Sequence, residues 1–302
     1  MYDIVIIGSG PAGLTAIIYA QRAMLKAVVI EKNYYGTGQI SESERVDNYP
    51  GLYGENGFDL GTKFRTHAEN LGAEFLDAEV VKISKKGNGY SVFLDNGNSV
   101  DTHTIIYAVG TERRKLDVEG EAELTGRGVS YCAVCDGAFY KDKVVAVVGG
   151  GDTALGDASL LSKFASKVYL IHRRDKFRAS KDLQHKIASI PNIEILLNVE
   201  ITKIKGNNKV EAVTVLQNDN ESEIAVDGVF VAVGSVPNST IIKDLVKIDS
   251  NGYVVADESG VTSAEGIFVA GDVRTKQFRQ VVTAASDGAN CVFSAENYLE
   301  KL

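Results

Sequence analysis

Gly8-Ser9-Gly10-Pro11-Ala12-Gly13 decides the fold of this chain. It follows the strand-like run Tyr2-Asp3-Ile4-Val5-Ile6-Ile7 and precedes a helix-like run over 14–23, the setting that a dinucleotide-binding turn requires. Glycines let such a turn close tightly and let the backbone approach a pyrophosphate, whose charge meets the exposed N–H groups of the helix start. The next strand, Ala27-Val28-Val29-Ile30, ends in Glu31, an acceptor suited to an unphosphorylated ribose hydroxyl. Gly8, Gly10, Pro11, Ala12, Gly13 and Glu31 are the first set of candidate cofactor residues.

The pattern recurs. Gly149-Gly150-Gly151-Asp152-Thr153-Ala154 follows Lys143-Val144-Val145-Ala146-Val147-Val148, and Ala154 takes the packing role of the third glycine. After the strand Val168-Tyr169-Leu170-Ile171, His172 stands at the offset that Glu31 occupies in the first copy, followed by Arg173, Arg174 and Arg178. A guanidinium fork recognises phosphate oxygens in pairs, and a carboxylate there would repel them. The second site, with Gly149, Gly151, Asp152, Thr153, His172, Arg173, Arg174 and Arg178, is expected to take the 2′-phosphate of NADPH. The competing reading of the basic run is a solvated turn.

Just before the second fingerprint comes Cys132-Ala133-Val134-Cys135-Asp136. In an α/β setting a Cys-x-x-Cys reads as a redox couple, because thiolate formation is favoured at a helix start. Zinc is the competing reading. Its support is thin, since His67, His103, His172 and His185 are scattered and no second Cys-x-x-Cys supplies ligands. Cys291, in the expected C-terminal helix, reads as a small buried residue. Three cysteines are too few for a secreted disulfide framework.

The 302 residues, 44% hydrophobic and 24% charged, suffice for two ordinary cores, and the net charge of −8 argues against nucleic acid or an anionic membrane surface as partner. No run approaches the ~18 apolar residues of a membrane span, and the N-terminus has no basic leader pattern, so a cytoplasmic protein is expected. Each half runs from a fingerprint to a hydrophobic strand ending in Ala-Val-Gly, at Gly110 and at Gly234, expected to return to its own nucleotide sheet. Between them lie alternating runs, Tyr90-Ser91-Val92-Phe93-Leu94 and Val210-Glu211-Ala212-Val213-Thr214-Val215, with turn signals such as Asn96-Gly97, which read as inserted antiparallel hairpins. A further strand, Gly266-Ile267-Phe268-Val269-Ala270, belongs with the C-terminal helix. The expected fold is α/β, with two three-layer Rossmann-like dinucleotide-binding domains, each carrying an inserted antiparallel β element. Ser235-Val236-Pro237-Asn238 and 111–119 read as linkers.

Taken in order, the first fingerprint, Asp47-Asn48-Tyr49-Pro50-Gly51, the dithiol, His172-Arg173-Arg174-Asp175-Lys176-Phe177-Arg178-Ala179, and Gly271-Asp272-Val273 followed by Arg279-Gln280 resemble the low-molecular-weight thioredoxin reductases over nearly the whole chain. The resemblance implies an FAD domain over 1–112 and 241–302, an inserted NADPH domain over 113–240 bearing the dithiol, and a homodimer. It implies that Asp272 binds the ribityl chain, and that Gly38, Gln39, Asn48, Gly110, Gly271, Arg279 and Gln280 lie around FAD. It gives Cys135 the place nearest the flavin, Cys132 the attack on an external disulfide of thioredoxin or a thioredoxin-like protein, and Asp136 the proton. It also implies that the inserted domain rotates about its two linkers. For Asp272 a helix cap, for Asn48 a turn residue and for Asp136 an N-terminal helix charge are the plainer roles.

Two departures from the family pattern stand out. Gly156-Asp157 occupies the place of an acidic pair after the second fingerprint, and Thr37-Gly38-Gln39 replaces Gly-Gly-Gln. The first keeps open a ferredoxin-linked relative, against which the three arginines count. A peroxiredoxin-linked reductase is a further alternative, although it would carry an extra N-terminal thioredoxin-like region. A non-enzymatic flavin-dithiol redox sensor is the alternative of another class.

Overall fold

The computed structural model of the protein describes residues 1–43 and 45–302. The chain forms two compact units, one made of Met1–Glu112 and Val236–Leu302, the other of Arg113–Ser235.

The first unit opens with β1 (Tyr2–Ile7), α1 (Pro11–Arg22) and β2 (Ala27–Glu31). β1 and β2 are parallel, with Ile4 opposite Ala27 and Ile7 opposite Ile30. Ile4, Val5 and Ile6 are completely buried, so both faces of β1 are covered, which is why its sequence is a continuous apolar run instead of an alternation. α2 (Gly57–Asn70) and β3 (Glu74–Asp77) follow, then β4 (Val80–Lys86), β5 (Gly89–Leu94) and β6 (Ser99–Tyr107). β4, β5 and β6 form the antiparallel insertion, and β6 returns beside β1 as a parallel strand. The sheet order is β3-β2-β1-β6-β5-β4.

The chain leaves this unit through β7 (Thr111–Arg113). The second unit contains β8 (Val129–Ser130), α3 (Ala133–Asp136), β9 (Val144–Val148), α4 (Asp152–Leu161), β10 (Lys167–His172), α5 (Lys181–Ala188) and β11 (Ile193–Leu197). An antiparallel sheet of β12 (Glu200–Lys205), β13 (Ala212–Gln217) and β14 (Asn220–Ala225) is inserted before β15 (Gly228–Val231). The main sheet is wholly parallel in the order β11-β10-β9-β15-β8, and β15 returns beside β9. The expected hairpin at 210–215 is thus the middle of three strands and begins two residues later, at Ala212.

β16 (Ser235–Pro237) pairs with β7, and the chain re-enters the first unit. The residues just after it belong to that unit. Tyr107 Oη donates to the Asn238 carbonyl at 2.7 Å, Asn238 N–H donates to Gly110 O at 3.2 Å, and Ser239 Oγ donates to Gly252 O at 2.6 Å. The second crossing therefore falls between Ser235 and Val236, ahead of the expected boundary after residue 240. β17 (Ile267–Val269) then adds to β6 in parallel, and α6 (Val281–Leu299) closes the chain.

α6 packs on α1 through an apolar face that includes Ala284, Cys291, Val292 and Ala295, against Ala12, Ala16, Ile17 and Ala20. Gly288 lets the two helices meet, because a Cβ there would collide with the Ala12 carbonyl. On the opposite side of the sheet, Val5, Ile7, Val28 and Ile30 pack with Tyr90, Val92, Ile242, Val246 and Val254. Both units are Rossmann-like, with an antiparallel insertion in each.

Candidate functional sites

In the first unit the fingerprint turn is built by steric necessity. Gly8 sits at φ +99°, and a Cβ on it would lie 2.7 Å from the Ala108 carbonyl oxygen. A Cβ on Gly13 would strike Gly8 O, so α1 presses directly against the turn. The N-cap of α1, Gly10, brings no side-chain acceptor, Pro11 fills a first-turn position, and the first turn holds no acidic residue. Its leading N–H groups are left for an incoming anion.

Two of the expected flavin residues, Gly38 and Gly271, pack on this turn, and others are tied to one another or to neighbouring loops. Gly38, at φ +75°, approaches Gly10 so closely that its Cβ would lie 2.8 Å from Gly10 Cα. Gly271 packs on Ala12, and Gln39 Nε2 donates to the Thr111 carbonyl. Asn48 Nδ2 donates to Gln280 Oε1 at 2.9 Å, and Arg279 Nε donates to the Asp272 carbonyl at 3.3 Å. Arg279 also covers the Tyr253 ring at 4.2 Å from its centroid. Gln280 is the N-cap of α6 in a capping box with Thr283, which joins a structural role to its place in the cluster. Asp272 lies in the short turn Gly271–Val273 with its Oδ1 buried.

Glu31 is held by residues that local patterns did not mark. Its Oε2 accepts from Ser9 N–H at 2.9 Å and shares the Ser9 hydroxyl proton, also at 2.9 Å, with the Gly36 carbonyl, and its Oε1 accepts from Asn33 N–H at 3.0 Å. An ionised carboxylate accepts about four hydrogen bonds, so this bracing fixes its direction and leaves capacity for a ribose. A second support is Asp287 of α6, only 3% exposed. It accepts from Gly271 N–H at 2.9 Å, from Arg274 Nε and Nη2 at 2.9 and 2.6 Å, and from Lys276 Nζ at 2.8 Å. The sequence carried a signal for it: Asp287 lies in the buried stripe with Ala284, Gly288 and Cys291, where an unpaired charge would be costly.

In the second unit Gly149 is at φ +155°, and a Cβ on it would come 2.7 Å from Ala154 Cβ. Gly151, the N-cap of α4, has nothing within 4 Å of where its Cβ would be, which leaves room for a phosphate. Gly150 O accepts from Arg178 N–H at 2.7 Å, and Asp152 Oδ1 accepts from Ser180 N–H at 2.8 Å, so the basic segment is pinned to the fingerprint. Arg173, Arg174 and Arg178 are exposed, and none of them has a carboxylate partner among the described residues. Thr153 is exposed in the first turn of α4.

His172 departs from its expected use. It is 6% exposed, its ring lies where a Cβ of Gly150 would be, it stacks on Phe177 at 5.4 Å, and Nε2 makes a 3.1 Å hydrogen bond with the Lys176 carbonyl. Burial, reinforced by the neighbouring arginines, holds its pKa below the ordinary value, so the ring is neutral at neutral pH. It supports the loop that presents the arginines.

Cys132 and Cys135 form a disulfide, with Cα atoms 5.3 Å apart. Cys132 caps α3, its Sγ accepting from Cys135 N–H at 3.2 Å. Ser130 Oγ donates to Asp136 Oδ2 at 2.5 Å and accepts from Cys132 N–H at 3.1 Å, which ties the carboxylate to the disulfide loop. The preceding residue, Tyr131, donates its hydroxyl at 2.9 Å to the buried Glu121, whose carboxylate also accepts from the N–H groups of Leu116 and Asp117. Glu121, like Ser9 and Asp287, was not marked by the sequence motifs.

No helix among the described residues is long and apolar enough to cross a membrane. Residues 2–288 match the family model described as pyridine nucleotide-disulphide oxidoreductase. The thioredoxin reductase of Bacillus subtilis (strain 168) is 42% identical over 305 residues, covering 100% of this chain and 96% of the relative. That of Treponema pallidum (strain Nichols) is 40% identical over 304 residues, covering 100% and 98%. Among solved structures, the thioredoxin reductase of Streptococcus pyogenes superposes with a TM-score of 0.96 at 40% identity, covering 100% of this chain and 99% of the other.

Proposed function

The chain belongs to the pyridine nucleotide-disulphide oxidoreductase family, and from that premise we propose that it is an NADPH-dependent thioredoxin reductase, passing electrons through FAD and the Cys132–Cys135 couple to thioredoxin or a thioredoxin-like protein. The observation that carries this reading is the disulfide on α3, one strand ahead of a fingerprint flanked by three exposed arginines. The other unit supplies a second fingerprint paired with a carboxylate. One chain thus offers two nucleotide sites of opposite charge preference and one redox couple.

The residues fit both groups. For FAD, the glycine cradle of Gly8, Gly10 and Gly38 leaves backbone N–H groups for a pyrophosphate, Glu31 is the ribose acceptor, and Asp272, Asn48, Arg279 and Gln280 line the remainder. For NADPH, Gly151 and Thr153 at the start of α4 take the pyrophosphate, and Arg173, Arg174 and Arg178 take the 2′-phosphate. When bound, a flavin accepts two electrons as hydride from a nicotinamide and delivers them to a disulfide.

The chain's own residues do the rest. With two electrons and protons, the Cys132–Cys135 bond becomes a dithiol. The Cys132 thiolate attacks the partner's disulfide, forming a mixed disulfide and releasing one partner thiolate. Cys135 then attacks Cys132 Sγ, which restores the internal disulfide and frees the second partner thiolate. Asp136, tethered by Ser130, gives a proton to the leaving sulfur. The reading extends to a homodimer in the cytoplasm, where a reducing pool keeps such a couple turning over.

Anaerobic stopped-flow reduction of the yellow protein by NADPH, NADH and reduced ferredoxin in parallel, followed by oxidised thioredoxin, tests it. Rapid bleaching by NADPH, with colour restored by thioredoxin over many turnovers, is the expected result. Bleaching by ferredoxin alone, or a single turnover without recycling, overturns it.

A further inference from the structure

Arg65 is a charged residue in an expensive place. It lies in the middle of α2, is 6% exposed, and its Nη1 is buried without a hydrogen-bond partner among the described residues. Its guanidinium carbon lies 3.3 Å from the centroid of the Phe75 ring in β3 and 4.9 Å from that of Tyr35. Glu69, one helical turn on, joins the two: Oε1 accepts from Arg65 Nε at 2.8 Å, and Oε2 accepts from Tyr35 Oη at 3.3 Å. Packing on Phe75 alone would be served by an apolar side chain, which would bury no unpartnered donor.

What Arg65 holds is the loop that leaves Glu31. Tyr35 has φ +52°, the left-handed region that non-glycine residues rarely occupy, so the loop is strained where Arg65 and Glu69 grip it. The next residue, Gly36, accepts from Ser9 Oγ at 2.6 Å, and Ser9 N–H in turn donates to Glu31 at 2.9 Å. A continuous set of contacts therefore runs from Arg65 through Glu69, Tyr35, Gly36 and Ser9 to the ribose acceptor. Every link runs toward Glu31, the proposed ribose acceptor, and none of them involves the Asp272 turn.

We propose that Arg65 and Tyr35 are positioning residues that make the first unit selective for flavin in its dinucleotide form, by bracing loop 32–36 and Glu31 for the adenosine half. The inference rests on the flavin reading of that unit. Flavin mononucleotide has no adenosine half, so its binding does not draw on the brace, while binding of FAD does.

The test is titration of flavin-free full-length protein with FAD and, separately, FMN, followed by flavin fluorescence, with thermal melting of each flavin-free variant alongside. For Arg65→Met the Kd for FAD is expected to rise about tenfold, with the Kd for FMN unchanged, so the FAD/FMN preference falls about tenfold. Arg65→Lys, which keeps the charge but loses the planar stack, falls between. Tyr35→Phe keeps the ring, loses only the bond to Glu69, and reports on the brace should Arg65→Met fail to fold; a rise of about threefold for FAD alone is expected. Equal loss of FAD and FMN affinity, or no change in either, overturns the inference. A wild-type protein that binds both flavins equally overturns it while leaving the flavin reading standing, and one that binds neither refutes both.

Discussion

Asp287→Asn isolates the buried charge behind the Gly271-Asp272 turn. The amide has nearly the shape of the carboxylate, so packing on α1 is preserved, but the negative charge is lost. Arg274 and Lys276, whose side chains are each 6% exposed, then lie in the interior without their counter-ion. Removing one partner of a buried pair costs about 3–5 kcal/mol. Two cations share this carboxylate, which argues for the upper part of that range. For a unit of this size each kcal/mol moves the melting temperature by about 2–4 °C, so a fall of roughly 6–20 °C is expected. Differential scanning calorimetry of flavin-free and flavin-loaded protein reads it, and flavin retained after gel filtration should fall as the Gly271 N–H loses its charged acceptor. Glu223→Gln, which breaks the exposed pair with Lys205, is the control and should cost under about 1 kcal/mol. An Asp287→Asn protein that melts within about 2 °C of wild type and keeps its flavin would refute the electrostatic account.

Other substitutions test other parts of the construction. Gly156 lies inside α4 with nothing within 4 Å of where a Cβ would stand, so Gly156→Ala should stabilise the helix by about 0.8–1 kcal/mol, seen as a higher melting temperature; a lower one would show that something needs the space. Burial pushes the Asp157 carboxyl up to about 6, so the folded state holds its proton more tightly than the unfolded chain. That contribution is present below about pH 4 and is lost as pH rises to about 6; Asp157→Asn should therefore gain on the order of 2–3 kcal/mol at pH 7.5 and nothing at pH 4, and parallel melting curves at the two pH values would contradict this. Gly150→Ala should expel the His172 ring, lower stability and weaken NADPH binding, whereas Gly151→Ala, with open space before it, should fold normally and lose only nucleotide affinity; equal melting temperatures with equal NADPH affinities would remove the steric argument.

The parts of the fold written in local patterns were legible. The two apolar strands before the fingerprints, the return strands ending near Gly110 and Gly234 and the buried Cys291 follow from periodicity and turn chemistry, and they stand where expected. The second chain crossing was misplaced by five residues because Asn238 and Ser239 are tied to Tyr107, Gly110 and Gly252, partners distant in sequence that leave no local mark. β14 was missed because its sequence, Asn220–Ala225, is exposed along nearly its whole length and lacks an apolar alternation. Ser9, Glu121 and Arg65 were missed for a related reason: each is polar yet buried, and the pairings that go with its burial, Ser9 with Glu31, Glu121 with Tyr131, Leu116 and Asp117, and Arg65 with Glu69 and the Phe75 ring, follow no motif. Asp287 was the exception, since its place in an apolar helical stripe was visible in the sequence.

The two fingerprints show why equal spacing did not mean equal use. Glu31 and His172 end equivalent strands, and each meets the second residue of its own fingerprint. In the first unit that residue is Ser9, whose N–H and hydroxyl both reach the carboxylate and hold Glu31 as an acceptor. In the second it is Gly150, and the absent side chain admits the His172 ring beneath the turn. With the ring buried, the exposed Arg173, Arg174 and Arg178 on the loop that it supports are left as the charged groups of the proposed phosphate site. In this chain a serine after the first fingerprint glycine goes with a braced carboxylate at the strand end, and a glycine there goes with a buried ring. The offset in sequence marks the same place at the end of the second strand in both units, and one hydroxymethyl group separates what stands beside it.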